Sequence, residues 1–372
     1  MGELQVVNDG ALLVQDGVVR ETGTARRIEN LAEARKAQEI DAGGRVVMPA
    51  YVDPDTMLVT AGVETPRNGA AAENAIAITS KTRLETQARL TMENLVRHGV
   101  LAIGASTHGA RDLRDARKLL NVQKGFQSRP LRIRSVFAPR RAEWAGTFGE
   151  EVDSWATAIV GKRLAGLLEL ELPLEDAERE TFAALEQLGR IAVADGFILR
   201  LRSGALLSDN ALKLIQDTGA ISVIAPGLGQ TAPTESMRAS SVLVLTASDA
   251  LGGVCGEGEG RRLLDDGWAV ALGTGYTGAG PGCFNPQHAL HVACSRLGMS
   301  IEEAITAATW NAASSLRMSA VAGSIEPGRQ ADLAIVDLRD YRELAERPGH
   351  NDIYMVLRAG RPIFRRSGLL PF

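Results

Sequence analysis

Histidine, cysteine and aromatic residues are all scarce in this chain. There are five histidines and three cysteines in 372 residues, and aromatics make up 4%. Cys255, Cys283 and Cys294 are odd in number and follow no ligand spacing, which excludes a disulfide framework and a thiolate metal site. They read as reduced thiols of a cytoplasmic protein. So few aromatics argue against platforms for stacking nucleic-acid bases. The net charge of -4 gives no electrostatic attraction to nucleic acid or an anionic membrane. No apolar run approaches the roughly 20 residues that cross a bilayer. The opening MGELQVVNDG has neither a basic n-region nor an apolar h-region, so no signal peptide is expected.

What remains is ordinary globular material, 45% hydrophobic and 23% charged, long enough for a barrel with a satellite. The first 50 residues are short β-type runs: ALLVQDGVVRETG turns at Asp16-Gly17, a hairpin signal, and Gly43-Gly44 marks the next turn. The last 50 have the same texture, with ADLAIVDL and then DIYMVLRAGRPIF turning at Gly360. The two ends predict one small β-sandwich domain, residues 1–48 with 320–372. The centre alternates. Apolar strand candidates fall at 101–106, 132–138, 164–170, 197–202, 220–225, 241–246 and 268–273, and a run over 46–53 makes eight. Helical patterns separate them, and Ser300 with Glu303 reads as a capping box. Eight strand–helix units predict a (β/α)8 TIM-type barrel over 49–319. GEGEGRR (256–262) reads as a mobile connector, with a lid as the other reading.

Two segments carry a resemblance. DAGGRVVMPAYVDPDTML (41–58) resembles the start of an amidohydrolase barrel, and AATWNAASSLRMSAVAGSIEPGRQADLAIVD (307–337) resembles its end. ALGTGYTGAG, HALHVACSRLGMSIEEA and DYRELAERPGHNDIYMVLRAGRPIF are similar to imidazolonepropionases, enzymes of histidine degradation that open the imidazolone ring. The resemblance is good over residues 10–60 and 265–366; elsewhere only strand rhythm and fragments match.

The resemblance implies a zinc or iron ion at the mouth of the barrel. Two histidines from the first strand, one each from the fifth and sixth, and an aspartate from the eighth would hold it, the aspartate also serving as base. Those positions fall here on Asp55 and Met57, on Arg202 or else Arg200, near Ala225, and on Gly275. Arginine has no lone pair to donate, and a borderline-soft ion prefers imidazole or thiolate. No histidine lies between His108 and His288. No cofactor is therefore expected, and metal-dependent catalysis is not.

Of the histidines, His98 reads as a helix cap, and His288 and His291 as packing on an outer helix. His350 falls in a C-terminal loop, and His108 alone falls near the barrel mouth. The segment SVFAPRRAEW resembles the stretch where the family carries a substrate-side histidine, and here Arg140 or Arg141 takes that place. Asp55 and Arg202 are expected to pair, since an unpaired buried charge is costly. Asp55, His108, Arg140, Arg141 and Arg202 are the ligand-binding candidates, in a mouth expected to be net positive and suited to a small anion. The function readings are three: an amidohydrolase fold kept for ligand binding or for association, as a homodimer or with an active homologue; an active hydrolase of cyclic-amide C–N bonds using a divergent site; and a small-anion-binding protein.

Overall fold

The computed structural model describes residues 4–59, 75–127, 130–139, 154–174, 179–229, 234–277 and 283–369. The chain opens with an antiparallel hairpin of β1 (Gly10–Gln15) and β2 (Val18–Thr24). Asp16 and Gly17 at its tip have φ of 53° and 80°. That is the two-residue turn whose twist matches the flanking strands, and it favours Asp-Gly. β3 (Val46–Pro49) then pairs with β12 (Leu333–Val336). β13 (Ile353–Arg358), β14 (Arg361–Arg365) and β15 (Gly368–Leu369) complete a five-stranded antiparallel sheet drawn from both ends of the chain. Val19 of the hairpin packs with Leu333, Ile335, Met355 and Leu357 of that sheet.

Eight parallel strands form the second sheet, in chain order: β4 (Tyr51–Thr56), β5 (Val100–Ser106), β6 (Arg132–Phe137), β7 (Leu167–Glu171), β8 (Ile198–Arg202), β9 (Ser222–Ile224), β10 (Val242–Thr246) and β11 (Ala269–Gly273). The sheet curls until its first strand meets the segment after its last. The Gly275 N–H donates to Asp55 O at 3.1 Å and the Met57 N–H to Tyr276 O at 2.8 Å. This is the (β/α)8 barrel that the strand rhythm implied.

One strand of the sequence reading divides. The run over 46–53 is two strands in different sheets, split at Ala50. The Ala50 N–H donates to Asp332 O in the small sheet, and the Tyr51 N–H donates to Gly99 O in the barrel. A single residue thus carries the chain from one layer to the other, and continuous hydrophobicity hides the change.

Helices cover the outside of the barrel. Lys81–Arg97, Leu113–Gly125 and Asp209–Thr218 start at side-chain caps from Ser80, Asp112 and Ser208. Their buried stripes, including Leu84, Leu95, Leu119 and Leu214, join the outward strand residues Leu101, Ile103, Leu199 and Leu201 in one core. Each fully buried leucine contributes about 1.5–3 kcal/mol of transfer free energy. Inside the barrel, Ala312, Ala313 and Leu316 pack on Val52, Ala102, Val244 and Ala271. Gly104 allows this closeness, since a Cβ there would sit 2.4 Å from Pro54 O and 2.7 Å from Leu316 Cδ2.

The expectation of a mobile connector over 256–262 is corrected. Glu259–Asp265 is a helix, and Gly258 leads into it with its N–H on Arg296 O at 2.7 Å. The buried Glu259 carboxylate accepts from the Leu228 N–H at 3.0 Å and from Arg262 Nε at 3.0 Å. This segment pins the chain that leaves β9. The capping box at Ser300 and Glu303 is present as read.

Candidate functional site

In a strand, residues two apart face the same side. On β8, Leu199 and Leu201 face the outer core, so Arg200 and Arg202 both point inward. On β7, Leu168 and Leu170 face outward and Glu169 inward. β4 brings in Asp53 and Asp55.

These side chains make one cluster. Arg200 Nη2 donates to Asp55 Oδ1 at 2.8 Å, its Nη1 to Pro54 O at 2.6 Å, and its Nε lies 2.7 Å from Glu169 Oε2. Arg202 Nη2 donates to the same Asp55 Oδ1 at 2.5 Å, and its Nε to Glu169 Oε1 at 2.7 Å. His108, just beyond the end of β5, sets Nε2 2.6 Å from Glu169 Oε1. Arg200 is fully buried, while Arg202 is 22% and His108 37% exposed at the side chain. The cluster therefore runs from the barrel interior up to the mouth.

The electrostatics are reciprocal. Burial alone would raise the Glu169 carboxyl, but Arg202, Arg200 and His108 hold it well below the usual range. Burial would lower Arg202, but Asp55 and Glu169 outweigh it and raise that guanidinium further. Two guanidiniums thus face two carboxylates. Within this cluster the two inward arginines are matched by Asp55 and Glu169, and the expected excess of positive charge rests on Arg140 and Arg141. Arg140 and Arg141 lie outside the described residues.

Beside the cluster, Asp53 ties β4 to the end of β11. Its Oδ1 accepts the Thr274 N–H at 3.0 Å and its Oδ2 accepts the Thr274 hydroxyl at 2.5 Å. Burial pushes its carboxyl up to about 7, against both Thr274 bonds, which pull it down. Asp249, near Arg202, is also raised by burial, with Thr246 opposing.

The positions that the resemblance assigns to metal ligands can be tested against this geometry. Asp55 Oδ1 is already shared by two cations. Met57 and Ala225 are buried apolar groups. Gly275 has φ of 66°, and a Cβ there would lie 2.7 Å from Ser248 Cβ and 2.9 Å from Thr246 Oγ1. Guanidinium, thioether, methyl and hydrogen do not fit a zinc or iron ion. Among the described residues no group of three or more His, Cys, Asp or Glu is arranged to hold a metal. Two of the other histidines have structural partners. His98 caps its helix and its Nδ1 lies 2.7 Å from Asn94 O, while His291 Nδ1 lies 2.7 Å from Ala345 O.

Sequence reasoning ranked Arg202 ahead of Arg200, and the structure uses both, with Arg200 the deeper. It missed Glu169 and the Asp53–Thr274 tie. The signal for Glu169 was present: a charged residue flanked by leucines inside LLELEL must face the opposite side from them.

Comparison with known proteins agrees with the architecture. A model of the amidohydrolase family matches residues 183–363. An imidazolonepropionase of Brevibacillus brevis is 28% identical over 392 residues, covering 97% of this chain and 91% of the relative. An imidazolonepropionase of Deinococcus radiodurans is 30% identical over 388 residues, covering 97% and 93%. A solved 5-methylcytosine deaminase from Klebsiella pneumoniae superposes with a TM-score of 0.73 at 16% identity, over 97% of this chain and 96% of that one; this likeness speaks to fold alone.

Proposed function

Since the chain belongs to the amidohydrolase superfamily and is imidazolonepropionase-like over nearly its full length, we propose that it keeps the fold without the metal-dependent hydrolysis, and serves through what its mouth or surface binds. The observation that carries this reading is the bonding of Asp55 Oδ1 to both Arg200 and Arg202. The volume and charge that a divalent ion would supply are provided there by guanidinium groups. Neither guanidinium can polarise a carbonyl as a Lewis acid or generate a metal-bound hydroxide, the two routes by which such an ion lowers the barrier. We place the protein in the cytoplasm, with a small ligand or a second barrel protein, a copy of itself or an active homologue, as its partner. No described helix is long and apolar enough to cross a membrane.

The test is turnover of imidazolone propionate with zinc or iron added. The expected result is no metal-dependent turnover and no thermal stabilisation by either ion. Turnover that follows metal content and is abolished by a chelator would overturn the proposal. A second reading, hydrolysis of cyclic-amide C–N bonds by a divergent site, draws support from one observation: His108 stands at the mouth against a buried carboxylate.

A further inference from the structure

We infer that His108, oriented by Glu169 and set beside Arg202, is a metal-free general base at the barrel mouth, able to activate water against a small acyl compound. The inference rests on the reading that no metal serves this mouth, and the experiment separates the two.

Glu169 Oε1 receives both His108 Nε2, at 2.6 Å, and Arg202 Nε, at 2.7 Å. Sharing one acceptor atom places imidazole and guanidinium side by side. The ionised carboxylate accepts only, so Nε2 carries the hydrogen of that bond. That leaves Nδ1 as the basic nitrogen, and no described residue bonds to it. Arg202 likewise spends Nε and Nη2 on Glu169 and Asp55, and no described residue takes its Nη1. The imidazole is partly open to solvent while its orienting carboxylate is 1% exposed. A base held by a third group, with a cationic donor alongside, is the arrangement that acyl transfer needs. The C-terminal end of a barrel strand is where this fold presents such groups. A helix cap or a packed histidine would require neither a buried carboxylate nor two arginines holding that carboxylate ionised.

The step balances without a cofactor. Nδ1 takes a proton from water, and the hydroxide oxygen bonds to the acyl carbon. The negative charge on the former carbonyl oxygen faces the Arg202 Nη1. The bond to the leaving oxygen or nitrogen breaks, the electron pair departs with that group, and the proton passes from Nδ1 to the leaving group or to solvent.

The probe is p-nitrophenyl acetate, hydrolysed by the full chain dialysed against a chelator, between pH 5 and 9. The expected result is a chelator-insensitive rate that rises with one ionisation, lowered at least tenfold in His108→Gln. Equal rates in wild type and His108→Gln would overturn the inference while leaving the metal-free reading intact. A rate abolished by the chelator and restored by zinc would overturn that reading instead. Nitrogen-15 NMR of labelled histidine gives a second readout on the unaltered protein. At a pH where the rate no longer rises, hydrogen on Nε2 is expected, and hydrogen on Nδ1 alone would overturn the inference.

Discussion

Arg200 and Asp55 meet inside the barrel at 2.8 Å, both nearly sealed from water. Removing Arg200 leaves two buried carboxylates, Asp55 and Glu169, facing the single guanidinium of Arg202, and an imbalance of charge in low dielectric is costly. Arg200→Met is therefore expected to cost about 3–5 kcal/mol of unfolding free energy. Arg202→Met, at a position partly open to solvent, is expected to cost less, about 1–3 kcal/mol. Urea titration of the two variants checks the order. Equal, negligible losses would contradict the pairing.

Asp53 makes stability depend on pH in the unusual direction for a carboxylate. Its folded pKa of about 7 stands above its ordinary value of 3.8, so the folded state holds the proton more tightly. Its contribution is complete below the unfolded value and is lost as pH rises through about 7. Asp53→Asn keeps an acceptor for the Thr274 N–H and cannot ionise. The variant is expected to gain on wild type steadily between pH 4 and 8, as measured by denaturant unfolding. A constant difference across that range would contradict the burial of an ionisable group there.

Glu169 acts in the opposite sense. Arg202, Arg200 and His108 hold its carboxyl below the usual range, so the stability it confers is present above the unfolded glutamate value and is lost as pH falls through the lower folded one. Wild type is expected to lose stability below about pH 4, the ordinary glutamate range. A charge-free pair of substitutions, Glu169→Leu with Arg200→Met, is expected to flatten that acid limb.

Placing an aspartate at the eighth-strand position is not expected to create a metal site. At Gly275 the backbone is left-handed, and the added Cβ meets Ser248 Cβ at 2.7 Å. Gly275→Asp is expected to cost about 1–2 kcal/mol from the backbone alone, with no gain in zinc binding by calorimetry. Tight binding in that single variant would contradict the geometry.

How much of this was legible depends on what each signal encodes. The barrel could be read because buried parallel strands are near-continuous apolar runs separated by amphipathic helices. The same continuity concealed the passage at Ala50, where β3 and β4 belong to different sheets. Asp55 and Arg202 were visible because they stand where the resemblance demands imidazole. Glu169 was not, because the family pattern assigns nothing to that position and only strand parity betrays it. The segment GEGEGRR was misread because its glycines suggest freedom, whereas Glu259 within it is buried and bonded to Leu228. Composition could not reveal a partner that lies 31 residues away along the chain.

The central claim is that guanidinium groups stand where a divalent ion would otherwise sit. Elemental analysis of the protein, purified without chelators and quantified per mole of chain, tests it most directly. The account predicts far less than one equivalent of zinc, iron or manganese. One full equivalent, retained through dialysis and released only when Asp55 is replaced, would contradict it.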